Sequence, residues 1–378
     1  MTIYLDYAAT TPVDAGILAE MHPYFSEVFA NPASLHEPGQ KARRAIEDAR
    51  DRVAAALHAS APEVIFTSGA TEAINHGLKM AAALRPHGHI VTSQLEHSAV
   101  LHTVRGLERQ GHAVTYLEPD ATGAVDSERL KSALRSDTAL VALMLVNNET
   151  GVITDVAGAA AAAKEVGAIF FCDAVQAFGT LPVDMRELGA DLLTVSGHKV
   201  YGPKGVGVLV ARRGLDLPPL LTGGEQERGR RAGTVNVPAA VGMGAAAQLA
   251  AERLDEDARR LLALRDEFEA QVTELPSVHV NGARAPRGPK HVNVSVSGVD
   301  GEALLIALDR KGVHASAGSA CAAGTLEPSH VLRAMGLPRE AAKASVRFSL
   351  GRDITAEALR QAAERFKRVV SQLREQAG

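Results

Sequence analysis

The sequence predicts an α/β fold: a mostly parallel, seven-stranded sheet flanked by helices, followed by a smaller α+β region. The chain has 378 residues, 46% hydrophobic and 22% charged, which suits a folded protein of two or three domains. Up to about residue 211, short apolar runs alternate with Ala-rich amphipathic segments. Some runs, such as residues 139–146, are apolar throughout, which is typical of strands buried on both faces.

The strands and helices of the first region follow from these runs. Alternation of strand and helix favours a parallel sheet, because each crossover returns the chain to the same end of the sheet. Apolar, β-branched runs predict strands at residues 64–67, 89–93, 113–117, 140–146, 168–172, 192–195 and 207–211. Helical patterns lie between most of them, at residues 71–84, 98–110, 127–134 and 156–166.

A long helical pattern after Pro238 leads out of this region and reaches about Val272, either as one helix or as two. The remaining chain predicts strands at 291–296 and 345–349 and helices at 301–311, 328–335 and 355–375. We therefore expect a large domain over residues 15–255 and a small domain built from residues 1–14 and 256–378.

Charge and cysteine content exclude several classes of protein. Lys and Arg total 40 and Asp and Glu total 44, so a net charge of −4 gives no reason to expect nucleic-acid binding. Two cysteines cannot form a disulfide framework, and no CxxC pair suggests zinc, so no metal is expected. The start of the chain has no secretory pattern, and its longest uncharged stretch, 232–251, is too polar and Gly-rich for a membrane span. We expect a cytoplasmic protein.

Polar clusters follow several of the predicted strands. In open α/β sheets, ligands bind outside the carboxyl ends of the strands, so these clusters predict one binding rim. Any one of them alone could be a turn or a helix cap. The clusters occupy residues 67–72, 94–98, 147–151, 173–176 and 196–199.

The residue types on this rim suggest a cofactor. Lys199 follows a strand beside a histidine, where burial lowers the pKa of an amine and makes it nucleophilic. Asp173 ends an apolar strand and needs a cationic or hydrogen-bonding partner. Residues 67–71 suit a phosphate at a helix start, although a simple N-cap would also explain them. Together these features meet the needs of pyridoxal phosphate, whereas the absence of a Walker A motif disfavours a nucleotide.

With these residues in place, the sequence resembles the cysteine desulfurases, within the class-V aminotransferase-like group of fold-type I pyridoxal-phosphate enzymes. The resemblance runs from residues 4–12 to residues 346–351. Its most specific motifs are Ser-Gly-His-Lys at 196–199, Arg-Ala-Gly-Thr at 231–234 and Gly-Ser-Ala-Cys-Ala-Ala-Gly-Thr-Leu-Glu-Pro at 318–328. The long segment around the cysteine resembles the branch that serves iron–sulfur assembly and nitrogen-fixation clusters.

The resemblance implies roles for the residues around the cofactor ring. Lys199 would form the Schiff base, and Asp173 would keep the pyridine nitrogen protonated. Gln176 would hydrogen-bond the phenolic oxygen, and His97 would stack on the ring and transfer protons. Taken alone, His97 could be a structural histidine and Gln176 a helix cap.

The resemblance also implies residues for the phosphate and for the substrate. Thr234 would reach the phosphate in the site of a partner subunit, which implies a homodimer. Arg347 would bind the α-carboxylate of the substrate, L-cysteine, although taken alone it could be a surface-paired charge. Thr71, Ser196 and His198 would hold the phosphate within the same chain, and Asn31 and Asn148 would orient the substrate.

Cys321 lies in a run of small residues between glycines, which predicts a mobile segment. The resemblance implies that its thiolate attacks the sulfur of L-cysteine, releases L-alanine and keeps a persulfide for an acceptor protein such as an iron–sulfur scaffold. The neighbouring residues are smaller than the Ser- and Thr-richer run usual in the family, which leaves the choice of acceptor open. Cys172, inside an apolar strand, is predicted to be a buried structural cysteine.

Two other interpretations share parts of this pattern. The chain could be a selenocysteine lyase, or another aminotransferase or lyase that binds pyridoxal phosphate on the same fold. It could also be a non-catalytic scaffold in a sulfur-transfer complex, although the intact Lys199 and Asp173 argue against that. Nothing in the sequence decides between iron–sulfur assembly and tRNA thiolation.

Overall fold

The structure, a computed structural model, describes residues 2–317 and 327–377, so the predicted catalytic residue Cys321 lies outside the described residues. The strands within these ranges are β1 (Ile3–Tyr4), β2 (Val64–Thr67), β3 (His89–Ser93), β4 (Val114–Leu117), β5 (Thr138–Met144), β6 (Ile169–Asp173), β7 (Leu192–Ser196), β8 (Gly207–Ala211), β9 (Val278–Val280), β10 (His291–Val296), β11 (Val313–His314) and β12 (Ser345–Ser349).

The α-helices of the same ranges cover both faces of the large sheet and fill the region after it. They are α1 (Ala15–Met21), α2 (Pro23–Ser26), α3 (Glu37–Ala56), α4 (Ala70–Ala83), α5 (Ser98–Arg109), α6 (Ser127–Ala133), α7 (Val156–Glu165), α8 (Val237–Val272), α9 (Gly301–Arg310), α10 (His330–Ala334), α11 (Arg339–Lys343) and α12 (Ala356–Ala377).

The large sheet has the strand order β2-β8-β7-β6-β5-β3-β4. Strand β8 is antiparallel to both of its neighbours, and every other neighbouring pair is parallel. The predicted seven-stranded, mostly parallel sheet is therefore confirmed. Strand β5 begins two residues earlier than predicted, because Thr138 pairs with His89 in the ladder and its hydroxyl lies 3.0 Å from the His89 Nδ1.

Helix α3 is the longest element that the predictions lack. Its buried residues follow a helical spacing, and they pack against α8. A Cβ added at Gly244 of α8 would lie 2.7 Å from the Cα of Ala49, so only glycine allows the two helices to approach this closely. Helices α1, α2 and α11 and strands β1, β9 and β11 are also outside the predicted set.

Helix α8 is continuous over 36 residues, so of the two alternatives left open by the sequence, one helix and not two is found. Its Ala-rich first half packs into the core on one face of the large sheet. Its second half contributes Leu261, Phe268 and Val272 to a separate core. The same helix thus belongs to both cores, and the division of the chain at residue 255 stays a prediction.

The second core surrounds a three-stranded antiparallel sheet with the order β12-β10-β9. Helices α9 and α12 cover it, and Ile3 and Leu5 from the start of the chain also pack into it. Beyond β1, the chain crosses to the large sheet, where Thr11 donates its main-chain N–H to the carbonyl of His198 at 2.9 Å. This crossing brings residues 8–11 to the carboxyl ends of the parallel strands.

In the part of the chain that the structure describes, every helix is too short or too polar to cross a membrane.

Candidate active site

A cavity of about 400 Å³ lies at the carboxyl ends of the parallel strands. Each of the five polar clusters contributes residues to its wall. The five clusters therefore lie together at one edge of the sheet, as the sequence predicts. The predicted site residues that line this cofactor cavity are Thr71, His97, Asn148, Asp173, Gln176, Ser196, His198 and Lys199.

Lys199 ends a short 3₁₀ turn, Gly197–Lys199, that directly follows β7. Its Nζ donates to the carbonyl oxygens of Ala8 at 2.6 Å and Ala9 at 2.7 Å. Burial, together with the positive charge of Arg347, lowers the pKa of Lys199 to about 8, although the carboxylates of Asp6 and Asp173 act in the opposite direction. At pH 7 about a tenth of this amine is therefore uncharged, far more than of an ordinary lysine, and the uncharged form is the one that a Schiff-base nucleophile requires.

Asp173 is the last residue of β6 and is 6% exposed. Its Oδ1 accepts a hydrogen bond from the Val175 main-chain N–H at 3.0 Å. Burial raises the pKa of Asp173, while the nearby His97 and Lys199 favour its ionised form. A protonated pyridine nitrogen would give this buried carboxylate the cationic partner that would offset its loss of water.

Gln176 follows in the loop after β6, and its side chain is buried. The Nε2 donates to the carbonyl oxygen of Ala8 at 3.0 Å. Its Oε1 has no hydrogen-bond partner within the described part of the chain. A buried polar atom without a partner is costly, and a hydroxyl on the cofactor would satisfy it.

The start of α4, with Gly69 at the N-cap, forms the part of the cavity where the sequence predicts the phosphate. The main-chain N–H groups at a helix start suit an anion. Strand β8 passes directly beneath this turn, because a Cβ at Gly207 would lie 2.5 Å from the carbonyl carbon of Gly69. Thr71 lines the cavity from the first turn of the helix, and its role as a phosphate ligand stays a prediction.

Ser196, the last residue of β7, and His198, in the turn after it, also line the cavity. The Nδ1 of His198 lies 3.2 Å from the Thr10 hydroxyl. Burial lowers the pKa of His198 to about 4, with help from the neighbouring Lys199 and Lys204. The ring is therefore neutral at physiological pH and can act as a hydrogen-bonding group toward a phosphate.

His97 caps the start of α5, where its Nδ1 accepts from the Ala99 main-chain N–H at 3.1 Å. His97 thus has a structural contact, as its alternative interpretation as a structural histidine suggests, yet it also lines the cavity with Asp173. Partial loss of water lowers the pKa of His97, and the negative charge of Asp173 acts in the opposite direction. A neutral ring at this position can both stack and exchange protons.

Arg347 lies on β12 at the edge of the site and is 4% exposed. Its Nη1 donates to the carbonyl oxygen of Asn148 at 2.8 Å, and its Nη2 forms an ion pair with Asp6 at 2.7 Å. Arg347 is therefore buried and paired, not a surface charge. It contacts a cavity residue without lining the cavity itself.

Asn31 and Thr234 lie outside the cofactor cavity, and both are exposed. The Oδ1 of Asn31 accepts from the Ala33 main-chain N–H at 2.9 Å. Thr234 follows Arg231 by three residues, and Arg231 is paired with Glu72 of α4 at 2.9 Å. The roles given to both residues stay predictions.

Residues 8–11 contribute to the site in a way that the sequence does not predict. Ala8 and Ala9 hold Lys199 and Gln176 through main-chain carbonyls, which carry no side-chain signal. Lys204 also lines the cavity and donates to the carbonyl of Thr11 at 3.1 Å. The one feature of the sequence that could have indicated Lys204 as a cavity residue is its position five residues after Lys199.

Comparison with known proteins gives matches over nearly the whole chain. The Aminotransferase class-V family model matches residues 3–361. The cysteine desulfurase IscS of Dictyoglomus turgidum is 46% identical over 375 residues, which cover 98% of this chain and 95% of that protein. The cysteine desulfurase IscS of Anaeromyxobacter dehalogenans is 48% identical over 379 residues, covering 99% and 93%.

Solved structures agree with the sequence matches. A NifS-like protein superposes with a TM-score of 0.93 at 36% identity, covering 99% of this chain and all of the other. The structure of SspA in complex with cysteine has a TM-score of 0.83 at 38% identity, covering 92% and 99%. The chain therefore belongs to the class-V aminotransferase family, among the cysteine desulfurases that use pyridoxal phosphate.

Proposed function

We propose that this cysteine desulfurase takes sulfur from L-cysteine through Cys321, releases L-alanine, and passes the persulfide sulfur to an acceptor protein. The observation that carries the proposal is the convergence of Lys199, Asp173 and Gln176 on one cavity that also contains the start of α4. Pyridoxal phosphate and its reactive aldehyde fit a cavity that has an amine, a carboxylate, an amide and a helix start suited to a phosphate in its wall.

Different residues of the described chain would hold different parts of the cofactor. Lys199 would bind it covalently, Asp173 would pair with its ring nitrogen, and Gln176 would contact its phenolic oxygen. Thr71, Ser196 and His198 would hold its phosphate. When bound, pyridoxal phosphate supplies an electron sink for the pair left by the broken C–S bond. His97 would move a proton at the substrate, because its ring opens into the cavity and its pKa is lowered.

The substrate carboxylate would bind at the guanidinium of Arg347, with Asn148 and Asn31 orienting the rest of the molecule. Both terminal nitrogens of Arg347 are already engaged, one with Asp6 and one with the Asn148 carbonyl. Each terminal nitrogen carries two protons, so the guanidinium can accept a carboxylate and keep these contacts. The contact with Asn148 would keep the guanidinium beside the cavity.

Chain length supports a thiol of Cys321 within reach of the cavity. Ser316 pairs with Arg347 through two main-chain hydrogen bonds, at 3.2 Å and 2.7 Å. Cys321 follows Ser316 by five residues, and five residues span at most about 18 Å. The thiolate would form a bond to the substrate sulfur as the C–S bond breaks, leaving a persulfide on Cys321.

A homodimer and an acceptor protein complete the proposal. Of the large apolar side chains exposed on the described residues, Leu18, Phe25, Phe29 and Leu35 lie close together in sequence, and Leu35 is 92% exposed. An exposed apolar stretch of this kind suits a subunit interface. Thr234 would then reach the partner's phosphate. An iron–sulfur scaffold is the acceptor we favour, and cytoplasmic location suits a protein with so few cysteines.

One experiment tests the chemistry. The purified enzyme is incubated with L-cysteine, alanine is quantified, and the persulfide is mapped by mass spectrometry. We expect one alanine for each persulfide, carried by the peptide that contains Cys321. Cys321→Ser should abolish the persulfide and the release of sulfide. If that variant released sulfide at the normal rate without added thiol, the chain would act as a lyase of the alternative kind.

A further inference from the structure

Helix α10 begins at the edge of the site, and its first residues are attached to two loops of the cofactor cavity. The Ser329 hydroxyl donates to the Glu149 carboxylate at 2.5 Å and accepts from the Leu332 main-chain N–H at 3.1 Å. The Nε2 of His330 lies 3.0 Å from the carbonyl oxygen of Glu96. Glu96 and Glu149 immediately adjoin His97 and Asn148, which line the cavity.

The Glu149–Ser329 contact is buried on both sides. Glu149 is 1% exposed and Ser329 is 2% exposed. The loop that carries Glu149 is itself held, because Asn147 accepts the Glu149 main-chain N–H at 3.0 Å and Asn293 donates to the Glu149 carbonyl at 3.2 Å. The carboxyl group therefore projects from a rigid loop toward α10.

Burial of a carboxyl group is costly, and burial raises the pKa of Glu149. An apolar residue at this position would avoid the cost but could not accept the Ser329 hydroxyl. The hydrogen bond is thus the feature that distinguishes a carboxyl here from an aliphatic side chain.

The described residues on both sides of residues 318–326 are held beside the same cavity. On its N-terminal side, Ser316 is paired with the main chain of Arg347, whose side chain contacts Asn148. On its C-terminal side, Ser329 is held by Glu149, the residue after Asn148. Cys321 precedes Ser329 by eight residues, so the distance between them is at most about 28 Å.

We propose that Glu149 is a positioning residue for sulfur transfer: its hydrogen bond to Ser329 anchors the C-terminal attachment of the cysteine-bearing segment beside the cavity. The proposal rests on the function proposed above, in which Cys321 receives the sulfur. It assigns Glu149 no contact with the substrate or the cofactor.

The test separates the transfer of sulfur from the binding of an amino acid. Glu149→Ala, Glu149→Gln, Ser329→Ala and the double alanine variant are loaded with pyridoxal phosphate. Single-turnover persulfide formation on Cys321 is followed with L-cysteine. Binding of L-alanine, which contains no sulfur, is followed by the change in visible absorbance. Ser345→Ala is the matched control, since Ser345 is equally buried and its hydroxyl donates to the Ala342 carbonyl at 2.8 Å.

We expect Glu149→Ala and Ser329→Ala to slow persulfide formation about tenfold, the order expected when a buried hydrogen bond is lost. L-Alanine binding should stay within about twofold, because no cofactor contact is changed. The double variant should be no slower than either single variant, since both remove the same contact. Glu149→Gln keeps an acceptor oxygen and should recover most of the rate.

Three results would overturn the proposal: an unchanged rate in Glu149→Ala, an equal loss in persulfide formation and L-alanine binding, or losses in the two single variants that add. A variant that failed to fold would be recognised by its melting temperature, and Glu149→Gln with Ser329→Ala would then decide. Failure of the proposed function is a separate result, because the unmodified enzyme would then form no persulfide on Cys321.

Discussion

Arg347 and Asp6 form an ion pair at 2.7 Å that joins a strand near the end of the chain to the residues just after β1. Arg347 is nearly inaccessible, and the same guanidinium donates to the carbonyl of Asn148. The pair therefore connects the second core, the residues just after β1 and the edge of the cofactor cavity. It also fixes the plane of the group proposed to bind the substrate carboxylate.

Arg347→Lys tests that role. A lysine keeps the charge but loses the planar, two-pronged donor geometry, so we expect the kcat/KM for L-cysteine to fall about 100-fold. Steady-state kinetics measure this change, and the visible absorbance of the bound cofactor should stay the same. Arg360→Lys, in an exposed pair with Glu357, is the control and should change nothing. A normal kcat/KM in Arg347→Lys would remove Arg347 from the substrate site.

Lys199→Ala should abolish the visible absorbance band of the lysine-bound cofactor and the turnover of L-cysteine. The rival amine is Lys290, a buried lysine whose pKa burial lowers to about 7. Lys290→Met should therefore keep the band. If Lys290→Met lost the band and Lys199→Ala kept it, Lys290 would be the residue that binds the cofactor covalently.

The pH dependence of cofactor uptake gives a second check on Lys199. The uncharged amine is the nucleophile, and it is formed as pH rises through the pKa of about 8. The rate at which the cofactor-free enzyme develops the visible band should therefore rise with pH and reach half of its maximum near pH 8. A midpoint above pH 10 would mean that the amine is not buried as described.

The position of the cofactor cavity at the carboxyl ends of the parallel strands is predictable from the sequence for a physical reason. Parallel strands end on the same side, so polar residues after Asp173, Ser196 and Met144 must converge. Main-chain contributions are not predictable in this way, because the carbonyl of Ala8 resembles that of any residue. The pairing of Glu149 with Ser329, 180 residues apart, also depends on the complete fold.

The fold shows the same contrast between local and long-range information. Helix α3 carries a readable local signal, since Ala42, Ile46, Ala49 and Val53 recur at intervals of four, three and four residues and are all buried. The two-residue strands β1 and β11 carry none, because each is defined only by its pairing with the other. Short strands of this kind are recognised only when the partner is known.

Asp173→Asn should lower turnover far more than stability. The carboxylate is proposed to serve the ring nitrogen, and its burial already raises its pKa, so the fold gains little from its charge. We expect kcat to fall at least about 100-fold, while the melting temperature of the cofactor-free protein changes by no more than about 2 °C. Normal turnover with a clearly lower melting temperature would make Asp173 a structural residue.

Gly207→Ala tests the phosphate end of the cavity. The new Cβ would lie 2.5 Å from the carbonyl carbon of Gly69 and 2.7 Å from the main-chain nitrogen of Ala70, so the start of α4 must move. Main-chain N–H groups at this turn are proposed to bind the phosphate, and their displacement should weaken cofactor binding about tenfold or more. Equilibrium titration of the cofactor-free enzyme with pyridoxal phosphate measures the affinity.

Gly106→Ala is the matched control, because the nearest neighbour of its new Cβ is the end of the Arg109 side chain at 3.9 Å. It should bind the cofactor normally, and equal affinities in both variants would show that the turn at Gly69 does not hold the phosphate.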